Sequence, residues 1–377
     1  RLAAHKKITW DNYAKRAGLD HTSTDSNVID RISSEASSGK VVFLSATPFS
    51  SPRSLEYANG ILFDKTDIEG LLIDKFGYIA NEQGDIIPPP VYSGIDVGAL
   101  ERSFADSLIS SGAMRGRKLN NGFDYARQFM KIENSFASKF EDAMSMLSKA
   151  KNFSNLYAYY KKKLGWLYLS KMGESVKAKE LVPFIKEAIQ DNNKIVVFHK
   201  FVEGGLNEHP FKIEKAPNKS VEFEYNEFRS KYPQFFEDYV FENPIDLYKR
   251  EFGKSIAFFN GKDKGIDGNS TKMFNDDDSD VKIIMVQSDA GSAGISLHDT
   301  TGKYKRIIVK LNLPTRPVAE IQSEGRTYRV GQKTDTAFIY PITGGFTEAQ
   351  NFSTRIHQSI GSVENLALGD GARNLRE

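Results

Sequence analysis

Val281-Lys282-Ile283-Ile284-Met285-Val286-Gln287-Ser288-Asp289-Ala290-Gly291-Ser292-Ala293-Gly294-Ile295-Ser296-Leu297 joins a short apolar run to a loop of small residues. A run of that length without polar alternation reads as a strand buried on both faces. Small residues at its carboxyl end let a backbone approach a ligand closely, and the turn of helix expected at 292–297 offers free N–H groups. Taken alone, such a loop is more simply a tight turn.

Outward from it, the same pattern repeats. Apolar runs at 194–198, 255–259, 306–311 and 336–341 read as strands, and 181–190, 270–274 and 317–329 read as helices. Strands alternating with helices imply a parallel sheet covered on both faces, an α/β architecture shared by many doubly wound folds. Residues 202–250 interrupt the alternation with eight aromatics, from Phe223 to Phe241, best read as packed core. Upstream, 100–190 shows helical spacing: Phe123, Ala126, Phe129 and Met130 fall on one helical face, and Phe136, Phe140, Met144 and Leu147 on another. Asp276 to Asp280 carries four aspartates and reads as a solvated turn. The implied organisation is a strand-bearing segment at 1–60, a mainly helical insert at 61–180, an α/β lobe at 181–345, and a helical extension at 346–377.

Composition narrows the function classes. The 377 residues are 40% apolar and 27% charged, ordinary for a globular chain, with a net charge of only +2. Any polyanion contact must therefore come from a local groove. No cysteine is present, so disulfide frameworks and thiolate zinc sites are excluded. The six histidines lack metal-ligand spacing, and no nucleophile elbow or dinucleotide fingerprint occurs. No apolar stretch is long enough for a transmembrane helix, so a soluble, intracellular, cytoplasmic protein without a membrane partner is expected. The first residue is Arg1, from which a longer polypeptide is expected.

The segment richest in chemistry is Gln322-Ser323-Glu324-Gly325-Arg326-Thr327-Tyr328-Arg329-Val330-Gly331-Gln332. On a continuous helix, Arg326 and Arg329 point the same way. Guanidinium forks keep their charge and suit a γ-phosphoryl group in transfer. Gly325 would let the helix pass close to another surface. The bland alternative is a solvated helix with ordinary Arg–Glu pairs. Three further pieces fall in order: Ser45-Ala46-Thr47 closing an apolar run at 40–44, His199 and Lys200 ending the run at 194–198, and Lys262 just after the run at 255–259.

Taken together, these segments resemble a superfamily-two helicase read from motif III to motif VI. Ser45-Ala46-Thr47 is similar to motif III, 194–201 to motif IV, 290–297 to motif V, and 322–332 to motif VI as found in chromatin-remodelling-type ATPases. Within that group the chain most resembles the strawberry notch-like helicases and their bacteriophage relatives, through Pro52-Arg53-Ser54-Leu55-Glu56-Tyr57, Leu311-Asn312-Leu313-Pro314 and the tail segments 351–355 and 368–373. The resemblance implies a RecA-like lobe of the P-loop NTPase fold, with helical inserts and part of a first RecA-like lobe. It implies Arg326 and Arg329 as arginine-finger residues. Gln322, Gly294, Ser296 and Gly325 would lie near the nucleotide, and Ser45, Thr47, His199, Lys200, Lys262 and Ser288 near nucleic acid, DNA more than RNA.

An ATPase also needs a phosphate loop and a magnesium carboxylate. The nearest candidate, Ser34-Glu35-Ala36-Ser37-Ser38-Gly39-Lys40, fails the phosphate-loop pattern, having Ser where the first Gly belongs and Val41 after the Lys. No acidic box precedes the motif III run. The expectation is a half-site: a helicase or translocase lobe whose ATP and Mg2+ are gripped by residues upstream, in the missing part of the first lobe, so that this chain alone is inactive. The rival expectation is a helicase-like module that binds nucleic acid or a protein without turnover. The inserts at 61–180 and 202–250 are the candidate protein-binding surfaces.

Overall fold

The structure, a computed structural model, describes residues 49, 51–60, 62–115, 123, 125–260, 269–288, 295–312, 317–343 and 358–368. In chain order the elements are α1 (Ile68–Phe76), β1 (Ile79–Ala80), β2 (Ile86–Ile87), α2 (Val97–Ser110), β3 (Tyr125–Lys131), α3 (Ser135–Lys149), α4 (Ser154–Lys163), α5 (Trp166–Gln190), β4 (Asn193–His199), α6 (Lys219–Lys231), α7 (Pro244–Phe252), β5 (Ile256–Phe259), α8 (Asn269–Asn275), β6 (Ile283–Gln287), β7 (Lys305–Lys310), α9 (Pro317–Glu324), β8 (Thr336–Ile342) and α10 (Gln358–Leu368). They fall into two compact units, 1–118 with 359–377, and 119–358.

In the first unit, Asp67 caps α1 by accepting from the N–H groups of Glu69 and Gly70, and Gly77 ends it at φ 65°. Phe49, Leu55, Leu72, Phe76 and Leu366 share its core. Leu366 belongs to α10, so the far end of the chain completes the core of the early segment. A buried carboxylate fixes that return: Glu101 on α2 accepts from Ser362 Oγ at 2.5 Å and Asn365 Nδ2 at 3.0 Å.

The second unit is built on a six-stranded sheet in the order β3-β8-β7-β4-β6-β5. Every pairing in it is parallel. The chain enters the sheet at the edge strand β3, crosses to the interior strand β4, and from there adds strands on both sides. Along β4 the side chains alternate between faces, and both faces are buried. Ile195 and Val197 pack with Leu181 and Ile185 of α5 and Ile245 and Tyr248 of α7. Val196 and Phe198 pack with Phe274 of α8, Ile284 and Ile308. That double burial is why the strands read as continuous apolar runs.

Several expectations change. Residues 125–131 are not helix but the edge strand β3, paired over seven residues with β8. Apolar residues at 126, 129 and 130 match helical spacing, but the open edge of β8 supplies a full parallel ladder, and tertiary pairing overrides the local pattern. The helix expected at 181–190 begins at Trp166 and carries Pro183 inside it. The helix expected at 317–329 stops at Glu324, before both arginines. Asp276 to Asp280 is only partly a solvated turn. The buried Lys194 ammonium donates to the carbonyls of Phe274 and Asp276 at 2.7 and 2.8 Å and lies 3.6 Å from the Asp277 carboxylate.

The aromatics of 202–250 are packed core, but not a core of their own. Phe211, Phe228, Phe235 and Phe236 form one cluster with Phe136, Phe140, Phe153 and Tyr160 from α3 to α4. The Phe140 and Phe211 rings stack at 5.2 Å, and the Tyr160 hydroxyl donates to the Phe211 carbonyl at 2.6 Å. Two segments about 70 residues apart in sequence thus make a single aromatic body.

Candidate functional site

Ligands of open α/β sheets sit outside the carboxyl ends of the strands, where the chain leaves the central strand in opposite directions. Here that place is the end of β4, flanked by β6 and β7. His199 is the last residue of β4. It is fully buried, with Nδ1 3.2 Å from the Phe201 carbonyl and Nε2 unpartnered. Burial pushes its pKa down to about 4, so the ring is neutral at ordinary pH. The ring therefore meets no surface ligand. Its carbonyl accepts from the Ser288 N–H at 2.8 Å and Oγ at 3.0 Å, fixing the exit of β6 against that of β4.

Lys200 follows. Its N–H donates to Glu174 Oε1 at 2.5 Å, and its ammonium lies 3.9 Å from the centre of the Trp166 ring. Glu174, on α5, was not singled out by the sequence. It is 1% exposed and also takes hydrogen bonds from the Phe201 N–H and the Asn312 side chain. Burial raises its pKa to about 7 against the opposing pull of those donors and Lys177. One buried carboxyl thus ties the end of β4 to α5 and to the segment after β7. No sequence pattern announces it, because its hydrogen-bond partners are 26 and more residues away.

The second group lies around the end of α9. Because the helix ends at Glu324, Arg326 and Arg329 stand in the turn beyond it: the Arg326 N–H donates to the Ser323 carbonyl at 3.2 Å, and the Arg329 N–H to Gln332 Oε1 at 3.0 Å. Arg329 Nη1 donates to Ser296 Oγ at 2.6 Å, and the Leu297 N–H to the Arg326 carbonyl at 2.8 Å. The segments read as motifs V and VI are therefore stitched together at two points. Arg326 and Arg329 are close enough that burial first, then the Arg329 charge, lowers the Arg326 pKa. The Cβ position of Gly325 meets only the carbonyls of Ile321 and Gln322, so among the described residues it serves no close approach to another surface. Gln322 is half-buried on α9. Ser45, Thr47, Lys262 and Gly294 lie outside the described residues.

Beneath the arginine turn runs a polar network that the sequence did not reveal. Arg127 of β3 grips Glu324 with two hydrogen bonds of 2.9 and 2.8 Å. The Tyr340 hydroxyl of β8 lies 2.6 Å from one oxygen each of Glu320 and Glu324, and Lys310 of β7 lies 3.4 Å from Glu320 and bonds Ser323 Oγ. A phenol has one hydrogen, so one of these two contacts needs a carboxyl proton. Glu320 is completely buried and its pKa is raised by that burial, which makes it the proton holder. Glu324 is thus committed to Arg127 and Tyr340, not to the Arg–Glu pairs of a solvated helix.

The six parallel strands with helices on both faces form a RecA-like α/β arrangement. The chain matches no protein-family profile and no curated protein. Among solved structures it is similar to the C-terminal part of the Fun30 ATPase domain, with a TM-score of 0.34 and 11% identity over 65% of this chain and 89% of that one. No helix among the described residues is long and apolar enough to cross a membrane.

Proposed function

We propose that this chain contains the second motor lobe of an ATP-driven nucleic-acid helicase or translocase, with Arg326 and Arg329 as the lobe's contribution to a composite ATPase site. The observation that carries the reading is the double stitch between 295–297 and 326–329. It brings together, beside the amino ends of β7 and β8, the two segments with the strongest nucleotide-site character. Burial first, and then the nearby Arg329 charge, disfavour the Arg326 cation, and an anion beside the two guanidiniums offsets both. A γ-phosphoryl group is such an anion, and ATP supplies it. Arg329 is held by a serine hydroxyl that phosphate oxygens can replace as acceptor.

Among the described residues no group of three or more His, Asp or Glu side chains is placed to hold a metal, so no step is assigned here to Mg2+. On this reading its ligands and the phosphate loop come from the rest of the motor, and the track is DNA more than RNA. The family specifics of strawberry notch-like and bacteriophage helicases rest on the motif resemblance alone.

ATP turnover by the complete motor is the test. Arg329→Ala abolishes nucleic-acid-stimulated hydrolysis while nucleotide binding, followed with a fluorescent ATP analogue, persists. The isolated chain does not turn over ATP. Unchanged hydrolysis by the variant, or turnover by this chain alone, removes the composite-site reading.

A further inference from the structure

The geometry points to a stacking platform for an unpaired base of single-stranded nucleic acid, made by Trp166 at the start of α5 with Lys200 beneath its ring. This deepens the proposed motor reading, since it rests on the end of β4 being the nucleic-acid face. Trp166 is 50% exposed, and its neighbour Leu167 is 55% exposed. An indole is a large apolar surface that folding normally hides, and here the aromatic body beside it hides many rings but not this one. Lys200 Nζ sits 3.9 Å from the ring centre, and Lys171 Nζ 5.7 Å from the ring of Phe201. A flat π-face flanked by ammonium groups is the chemistry that binds a base by its face and its phosphate by charge.

Placement agrees. Glu174 of α5 is bonded to the Lys200 N–H, which fixes that level of α5 at the carboxyl end of β4. Trp166 lies roughly two helical turns further out along α5, beyond the end of the sheet. Charge agrees too. Residues 149–173 hold six lysines and no aspartate or glutamate, in a chain whose total is only +2. Of these, Lys163 is engaged by Glu208 at 3.3 Å, while Lys161 and Lys162, five and four residues before Trp166, are exposed. The segment is thus a local polycation around an exposed indole, inside a nearly neutral protein.

The chain has two tryptophans, Trp10 and Trp166, so Trp10→Phe leaves Trp166 as the single indole emitter. The whole chain is titrated without nucleotide against oligothymidylate, an abasic strand of equal length, and a duplex, with binding read by anisotropy. Oligothymidylate quenches Trp166; the abasic strand binds without quenching. Trp166→Ala weakens oligothymidylate about 10-fold and leaves the abasic strand unchanged, while Trp166→Phe retains most of the affinity. Equal losses for both strands, no quenching at saturation, equal quenching by duplex, or no oligonucleotide binding each overturn the platform. Arg329-dependent ATP turnover reports the motor reading separately, so either can fail alone.

Discussion

Arg329 Nη1 donates to Ser296 Oγ at 2.6 Å, across 33 residues of sequence. The bond seats one end of the guanidinium on a neutral hydroxyl. Ser296→Ala removes the acceptor without touching the cation. In the complete motor it lowers kcat modestly, about 10-fold, whereas Arg329→Ala lowers it by about 10³ or more, as for arginine fingers elsewhere. Steady-state kinetics separate the two. If Ser296→Ala is as damaging as Arg329→Ala, the hydroxyl is itself part of the chemistry.

The Arg127–Glu324 pair fixes the end of α9, and hence the arginine turn, to the edge strand β3. Glu324 keeps only 6% side-chain exposure. Arg127→Ala leaves a buried carboxylate without its cation and costs about 3 kcal/mol. Arg127→Lys restores the charge but not the fork, and recovers only part. Urea unfolding measures both; a cost near zero shows that Glu324 is neutral in the fold.

Two opposed titrations meet at the end of β4. Glu174 is raised to about 7 and His199 lowered to about 4, each by burial. For Glu174, the folded chain keeps a proton that the unfolded chain has released. Stability from this group therefore falls as pH rises from the ordinary carboxylate value to about 7. For His199 the unfolded chain binds the proton first, so stability rises with pH from about 4 to the ordinary histidine value. In the overlap the two largely cancel. Glu174→Gln removes one arm and leaves stability rising by up to about 3 kcal/mol across that window. Chemical denaturation at pH 4.5, 5.5 and 6.5 follows it, and an unchanged profile rejects the Glu174 shift.

Phe228 is fully buried and meets Phe153 edge-on at 5.3 Å and Phe235 stacked at 5.9 Å. Phe228→Ala costs about 3–5 kcal/mol if the aromatic body is one cooperative core. Limited proteolysis then opens both 135–164 and 206–241 together. Cleavage confined to the second segment indicates two independent inserts.

The sequence determined the central sheet. Ile195 to Phe198, Ile283 to Val286 and Ile307 to Val309 are apolar on both faces, the pattern of a doubly covered strand, and here the tertiary pairing agrees with it. It also determined the arginine-bearing segment as a unit, because residue type and spacing are local. What it misjudged were positions where local pattern and long-range pairing disagree. Residues 125–131 have helical spacing, yet the open edge of β8 claims them as a strand, and α9 ends at Glu324, two residues before the Arg326 carbonyl that accepts from the Leu297 N–H. The partners of Glu174, Glu324 and Tyr160 were illegible for the same reason. A buried carboxylate or hydroxyl is defined by the donors and acceptors the fold brings to it, here 16 to 197 residues away, and no local periodicity encodes them.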